Sequence, residues 1–237
     1  MTHLDEIEAG IYRISTSVPP SVMPGGFIFN QMLIADEAPL LFHTGPRKLF
    51  PAVHEAVARV LGDAARLRYV SFSHVESDEC GATNEWLAAA PRAEVVCGTI
   101  AALVSMNDLA DRPPRGLADG EELSLGRKRV RWLDAPHLPH NWECGYLFET
   151  TTATLMCGDL FTQGGDTPAP LTESDILAPS LALWRAIPAS IAVEAGARAI
   201  VDKLAATRPR TLATMHGSSF RGDGAKLLAA FADALGV

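Results

Sequence analysis

Between positions 73 and 81 the chain reads Ser-His-Val-Glu-Ser-Asp-Glu-Cys-Gly, which places one imidazole, His74, and three carboxylates, Glu76, Asp78 and Glu79, within six residues. An apolar run at 67–72 precedes the segment and has the character of a buried strand. A strand of that kind delivers the following loop to a sheet edge. Three carboxylates gathered there repel one another unless a cation sits among them. Nitrogen and oxygen donors without thiolate suit zinc, manganese, iron or cobalt. The competing reading is a solvated acidic turn that caps a helix through Ser77 or Asp78. The segment alone does not separate the two.

Three positions further along the chain break the tie. His137 follows a strand-like run at 129–133, Asp159 follows one at 153–157, and His216 follows one at 211–215. Each has a Pro or Gly within a few positions, the mark of a turn. Metal-type donors at the carboxyl ends of successive apolar strands imply side chains converging on one edge of a sheet core.

In order and broad spacing these residues resemble the metallo-β-lactamase fold superfamily, whose loop reads His-x-His-x-Asp-His and is followed by a His, an Asp and a final His, each at a strand end. The resemblance covers nearly the whole chain. Glu76 stands in place of the second loop histidine. In this the chain is similar to the flavodiiron proteins and the oxygen-binding di-iron proteins, whose His-x-Glu-x-Asp-His loop ends in a small residue and Gly, as Cys80-Gly81 does here. Glu79 occupies the place of the last loop histidine and departs from that pattern as well.

The resemblance implies an α/β (α+β) fold, a four-layer αββα sandwich with its site in the cleft between the sheets, formed by residues 1–237 as one domain. It also implies a pair of divalent ions. Carried over residue by residue, metal one takes His74, Glu76, His137 and Asp159, and metal two takes Asp78, Glu79, Asp159 and His216. Asp159 would bridge, since two carboxylate oxygens can serve two cations about 3.5 Å apart. So many oxygen donors count against a purely zinc site and favour a harder metal such as iron or manganese; with the di-iron resemblance, iron is expected first, with zinc or manganese as alternatives. Asp78 and His140 are the residues expected to act in catalysis. For His140 the alternatives are to support a ligand from outside, to line the pocket, or to replace the missing loop histidine as a ligand. Glu79 has its own alternative, a side chain turned to solvent beside a one-metal site. His43, where the superfamily usually has an Asp, is expected either to support the loop histidines or to be a satisfied core residue. His54 is expected on the solvent face of its helix.

Composition excludes some partners. The net charge is −8, with 48% apolar and 20% charged residues, an ordinary globular balance without a nucleic-acid footprint or an anionic-membrane docking face. The polar N-terminus lacks the pattern of a signal peptide, and no run of about 18 apolar residues occurs. The four cysteines, Cys80, Cys97, Cys144 and Cys157, form no Cys-x-x-Cys pair and read as free thiols of a reducing cytoplasm.

The elements that would position the donors are strands at 10–18, 27–35, 39–43, 67–72, 94–97, 121–125, 128–133, 145–150, 153–157 and 211–215. Helices are expected at 50–61, 82–90, 100–106, 180–185, 191–205 and 226–235. A Pro- and Gly-rich loop at 19–26 is long enough to border a site, and 161–177 has the makings of a lid. Two functions fit. A di-iron centre would bind or reduce O2 or NO, with a small-molecule ligand and an external electron donor, since nothing flavodoxin-like follows. A di-metal hydrolase would instead attack an ester, thioester or phosphoester with a metal-bound hydroxide. A homo-oligomer stays open.

Overall fold

The computed structural model describes residues 1–192, 194 and 196–237. Its first sheet takes its seven strands in chain order: β1 (Thr2–Glu8), β2 (Ile11–Val18), β3 (Phe27–Ile34), β4 (Leu40–Phe42), β5 (Tyr69–Ser71), β6 (Glu94–Gly98) and β7 (Arg115–Leu117). The first four run antiparallel, and β4 to β7 run parallel. The second sheet holds β8 (Glu122–Ser124), β9 (Arg129–Asp134), β10 (Gly145–Glu149), β11 (Thr154–Met156), β12 (Leu171–Thr172), β13 (Thr211–Ala213) and β14 (Ser219–Arg221), in the order β12-β14-β13-β11-β10-β9-β8.

The two sheets meet face to face. Ile11, Met32, Ile34 and Phe42 of the first pack with Val130, Trp132, Leu147 and Met156 of the second, all buried. The outer face of the first sheet, with Ile14, Leu33 and Val70, is covered by α1 (Phe50–Leu61) and by α3 (Thr83–Ala89), which follows the short α2 (Ser77–Cys80). There α4 (Thr99–Ala101) widens into a π-turn over Ala102–Met106 and closes as α5 (Asn107–Leu109). The second sheet's outer face packs on α7 (Ala197–Ala206) and α8 (Gly224–Leu235), with α6 (Leu177–Ala186) beside them. This is the expected αββα layering, each amphipathic element burying its apolar side against a neighbour.

Parallel pairing explains why the donors gather. Phe42 is in register with Ser71 across β4 and β5, and Met156 with Ala213 across β11 and β13. The loops leaving those strands, which carry His43, His74, Asp159 and His216, therefore emerge at the carboxyl ends of neighbouring strands. Two glycines make the centre of the sandwich possible. A Cβ at Gly145 would stand 2.2 Å from Trp132 Cζ2, and one at Gly98 would stand 2.9 Å from the same atom. The indole fills the slot that they leave.

Several elements differ from expectation. β1 forms at the N-terminus, where only Ile7 of its seven residues is buried, so a polar edge strand escapes a hydrophobic pattern. β7 lies in the turn-rich passage around Pro113 and Pro114, too short to show an alternation. The expected helix at 191–205 begins only at Ala197, and positions 193 and 195 of that expectation lie outside the described residues. Among the described residues, no helix is long and apolar enough to cross a membrane.

Candidate metal centre

The expected donors converge, with one substitution. His74, Glu76 and His140 form one group of potential ligand atoms within 4.8 Å of one another; His74, Glu79 and Asp159 form a second; Asp78, Glu79 and His216 form a third. His137 joins none of them and is exposed. Against the expectation, the structure leaves His137 outside the cluster and brings His140 into it.

The reason lies in the turn between β9 and β10. His137 has a left-handed backbone, φ 62°, and its N–H donates to the Asn141 carbonyl at 2.8 Å, closing the loop. That geometry turns Leu138 inward, where it is fully buried. Burying a leucine gains about 1.5–3 kcal/mol, whereas an imidazole in that apolar slot would lack a partner. Three residues on, His140 is led back to the cluster, its Nδ1 donating to the Ser190 carbonyl at 3.0 Å.

All three clustered imidazoles are oriented in one way. His216 Nδ1 donates to the Ile28 carbonyl at 2.8 Å, and His74 Nδ1 lies 2.9 Å from Ser73 Oγ. A carbonyl only accepts, so Nδ1 of His140 and His216 carries a proton, and Nε2 is the nitrogen each ring turns inward, where a metal would displace its proton. This is the arrangement in which outer hydrogen bonds fix a metal-binding imidazole. The Nε2 atoms of His74 and His140 stand 2.9 Å apart. His216 Nε2 faces Asp159 Oδ1 at 3.2 Å and Asp78 Oδ2 at 3.4 Å. Asp159 Oδ2 is 3.6 Å from His140 Nε2 and 3.8 Å from His74 Nε2, and Glu76 Oε1 is 3.4 Å from His140 Nε2.

Nitrogen donors and carboxylates turned toward one another in this way need a positive charge among them. Two donors bound to one ion at right angles stand about 3 Å apart when each bond is about 2.1 Å, which the His74–His140 separation matches. Glu79 is fully buried with both carboxylate oxygens unpartnered, and Asp159 Oδ1 is buried and lacks a hydrogen-bond partner. Burial excludes the solvent-facing alternative for Glu79. The residues present fit divalent cations.

With protons as the only cations, the titrations are strained in the same sense. Burial, then Asp159 and Asp78, push the Glu79 carboxyl well above its usual range. Burial lowers His74. Burial would lower His216 too, but the neighbouring Asp159 and Asp78 carboxylates overcome it and lift the ring to about 9. His140 is raised to about 9 against its own burial by Glu76, the Ser190 carbonyl and Asp159.

Residues beyond the expected set hold the donors in place. His43 is buried at φ 66°, and its Nε2 lies 3.1 Å from Ser73 Oγ, so it supports His74 through the serine. The Gly217 carbonyl, next to His216, accepts from Asn30 Nδ2 at 3.0 Å and from the buried Arg13 at 3.1 Å. Phe27, the first residue of β3, lies against the His216 ring at 4.3 Å between centroids. Ser73 was visible in the sequence as the neighbour of His74; Ser190 and the Ile28 carbonyl carried no signal at all. His54, expected in solvent, is half-buried and packs near Phe50 and Trp86. Trp142, two residues beyond His140, is 56% exposed. Cys80 lines a cavity of about 300 Å³ with Glu76, Met106 and Leu109, while Cys97, Cys144 and Cys157 are buried.

This fold and this constellation are those of a β-lactamase-like metal-site domain, and residues 27–217 match the family described as ODP family beta lactamase. The chain belongs to that family. A curated relative, "Putative diflavin flavoprotein A 1" of Thermosynechococcus vestitus, is 28% identical over 167 residues, 68% of this chain and 28% of that protein. Among solved structures, the metal-soaked Flv1 flavodiiron core from Synechocystis sp. PCC6803 superposes with a TM-score of 0.85 at 20% identity, covering 99% of this chain and 61% of that one. Rubredoxin oxygen:oxidoreductase from Desulfovibrio gigas does so with a TM-score of 0.81 at 18% identity, covering 98% and 60%. The chain therefore spans less than two thirds of the length of these relatives.

Proposed function

We propose that the chain is a dinuclear iron protein that binds or reduces O2 or NO. In this reading metal one takes His74, Glu76, His140 and Asp159, and metal two takes Asp78, Glu79, Asp159 and His216. The observation that supports it most is the donor set itself, three inward-turned Nε2 atoms among four carboxylates. Such an oxygen-rich set favours a hard, redox-active ion over zinc, and the likeness to flavodiiron cores favours iron among such ions. Glu76 adds negative charge at metal one, which stabilises oxidised iron. A hydrolase would benefit from the opposite, an ion electron-poor enough to acidify water.

Two irons there would supply the electrons and open coordination positions for a diatomic ligand. The chain's part is to position and to exclude. Ser190, Ile28 and Ser73 lock the three rings through their Nδ1 atoms. Phe27 and Phe29 cover His216, keeping water from that side. His140, with 21% of its side chain exposed, and Glu76, with 45%, mark the open side through which a small ligand would enter. Turnover in this reading draws electrons from an external donor.

The test is anaerobic iron loading, metal analysis, and stopped-flow mixing of the reduced protein with O2 and with NO. Two irons per chain and a ligand-dependent visible band are expected. Absence of any spectral change, together with thioester or phosphodiester hydrolysis abolished by Asp78→Ala, would replace this reading with the hydrolytic one.

A further inference from the structure

Glu79 differs from every other donor in the cluster. It falls in one group of donor atoms with His74 and Asp159 and in another with Asp78 and His216, the atoms of each group lying within 4.8 Å of one another. The first pair reaches metal one and the second belongs to metal two. Its side chain is 0% exposed, and neither Oε1 nor Oε2 has a hydrogen-bond partner. The backbone beneath it is fixed: the Glu79 carbonyl accepts from Thr44 N at 2.7 Å and from Thr44 Oγ1 at 3.2 Å.

An imidazole at this position would present one nitrogen to the cluster and turn the other away. A carboxylate presents two oxygens from one carbon, and here both are buried and free. A buried anion without hydrogen bonds persists only if cations satisfy it. Its two oxygens are best satisfied when each meets a different ion, because shared negative charge also offsets the repulsion between the ions.

We propose that Glu79 bridges the two metal positions, one oxygen to each, so that the centre has two carboxylate bridges, Asp159 and Glu79. The inference rests on the dinuclear reading above and changes its architecture: metal two gains no private ligand at position 79, and the two ions bind as a coupled pair.

Anaerobic titration of the apoprotein with Co(II), in competition with a chelator, gives two binding constants and tests the bridge directly. Glu79→Gln keeps the shape and removes the charge. A bridge predicts that both constants fall at least tenfold and that the binding of the two ions becomes less cooperative. Glu79→His, which restores a single donor, should recover the second ion only, leaving the first constant as weak as in Glu79→Gln. The di-Co(II) form of that variant should also show weaker magnetic exchange than the wild type. Circular dichroism identifies a variant that fails to fold, and Glu79→Asp then serves in its place. A loss confined to one constant in Glu79→Gln makes Glu79 a terminal ligand and overturns the bridge while the dinuclear reading stands. A wild type that binds no pair of Co(II) ions overturns both.

Discussion

His74 can use Nε2 as a donor only if Nδ1 holds the proton, and Ser73 Oγ at 2.9 Å is there to accept it. The serine's own proton then has one remaining neighbour, His43 Nε2 at 3.1 Å. Burial keeps that ring neutral, its pKa lowered to about 3, so it can accept. The chain of donation runs from His74 through Ser73 to His43 and makes His74 a stronger ligand. Ser73→Ala should weaken Co(II) binding about 10–100-fold, and His43→Leu should do much the same. The double variant should be scarcely weaker than Ser73→Ala, because both substitutions cut one chain; additive losses would separate the two residues. A second expectation concerns protons. His140 and His216 sit near 9 before metal arrives, so both are charged at pH 7. Loading should release at least two protons, one from each ring, and affinity should rise with pH until about 9. Calorimetry in buffers of different ionisation enthalpy counts the protons, and a release below one per chain would contradict the assignment.

At the scale of the element, strands and glycines do most of the positioning. Gly145 opens β10 beneath Trp132, and its N–H donates to the Ser73 carbonyl at 2.9 Å. Gly145→Ala would drive a methyl group into the indole, 2.2 Å away by the present backbone. Overpacking of this kind costs about 1–3 kcal/mol, read as a lower denaturation midpoint in urea with an unchanged slope. An unchanged midpoint would show that the indole has room to move. The same elements show what a sequence reveals. Apolar strands ending in a donor were legible because burial and chemistry adjoin in the chain, as at Met215-His216 and Phe72-Ser73-His74. His137 against His140 was not, because both follow the same strand and only the turn between β9 and β10 chooses. That choice depends on Leu138 reaching the core and on the Ser190 carbonyl fifty residues away. β1 was hidden for a related reason, since a polar edge strand pairs through backbone that carries no residue code.

For the molecule as a whole, the cleft concentrates Glu76, Asp78, Glu79 and Asp159 in a space that the sheets hold rigid, so an empty centre works against the fold. Cations that bind only the folded chain stabilise it by about 2.7 kcal/mol at a hundredfold excess over Kd and about 4.1 kcal/mol at a thousandfold. In a chain of this size each kcal/mol moves Tm by about 2–4 °C, so a strong chelator should lower Tm by roughly 5–15 °C. The gap should depend on pH, with a definite sign. In the apoprotein, His140 and His216 are raised from 6.5 to about 9 by the carboxylates. Their stabilisation is therefore complete below pH 6.5 and is lost as pH rises through 9. The loaded protein has metal in place of those protons and loses nothing over that window. Chelation should thus cost little at pH 6 and most near pH 9, in thermal melts recorded with and without chelator. A gap that narrows with rising pH would mean that protons, not metal ions, hold the four carboxylates together.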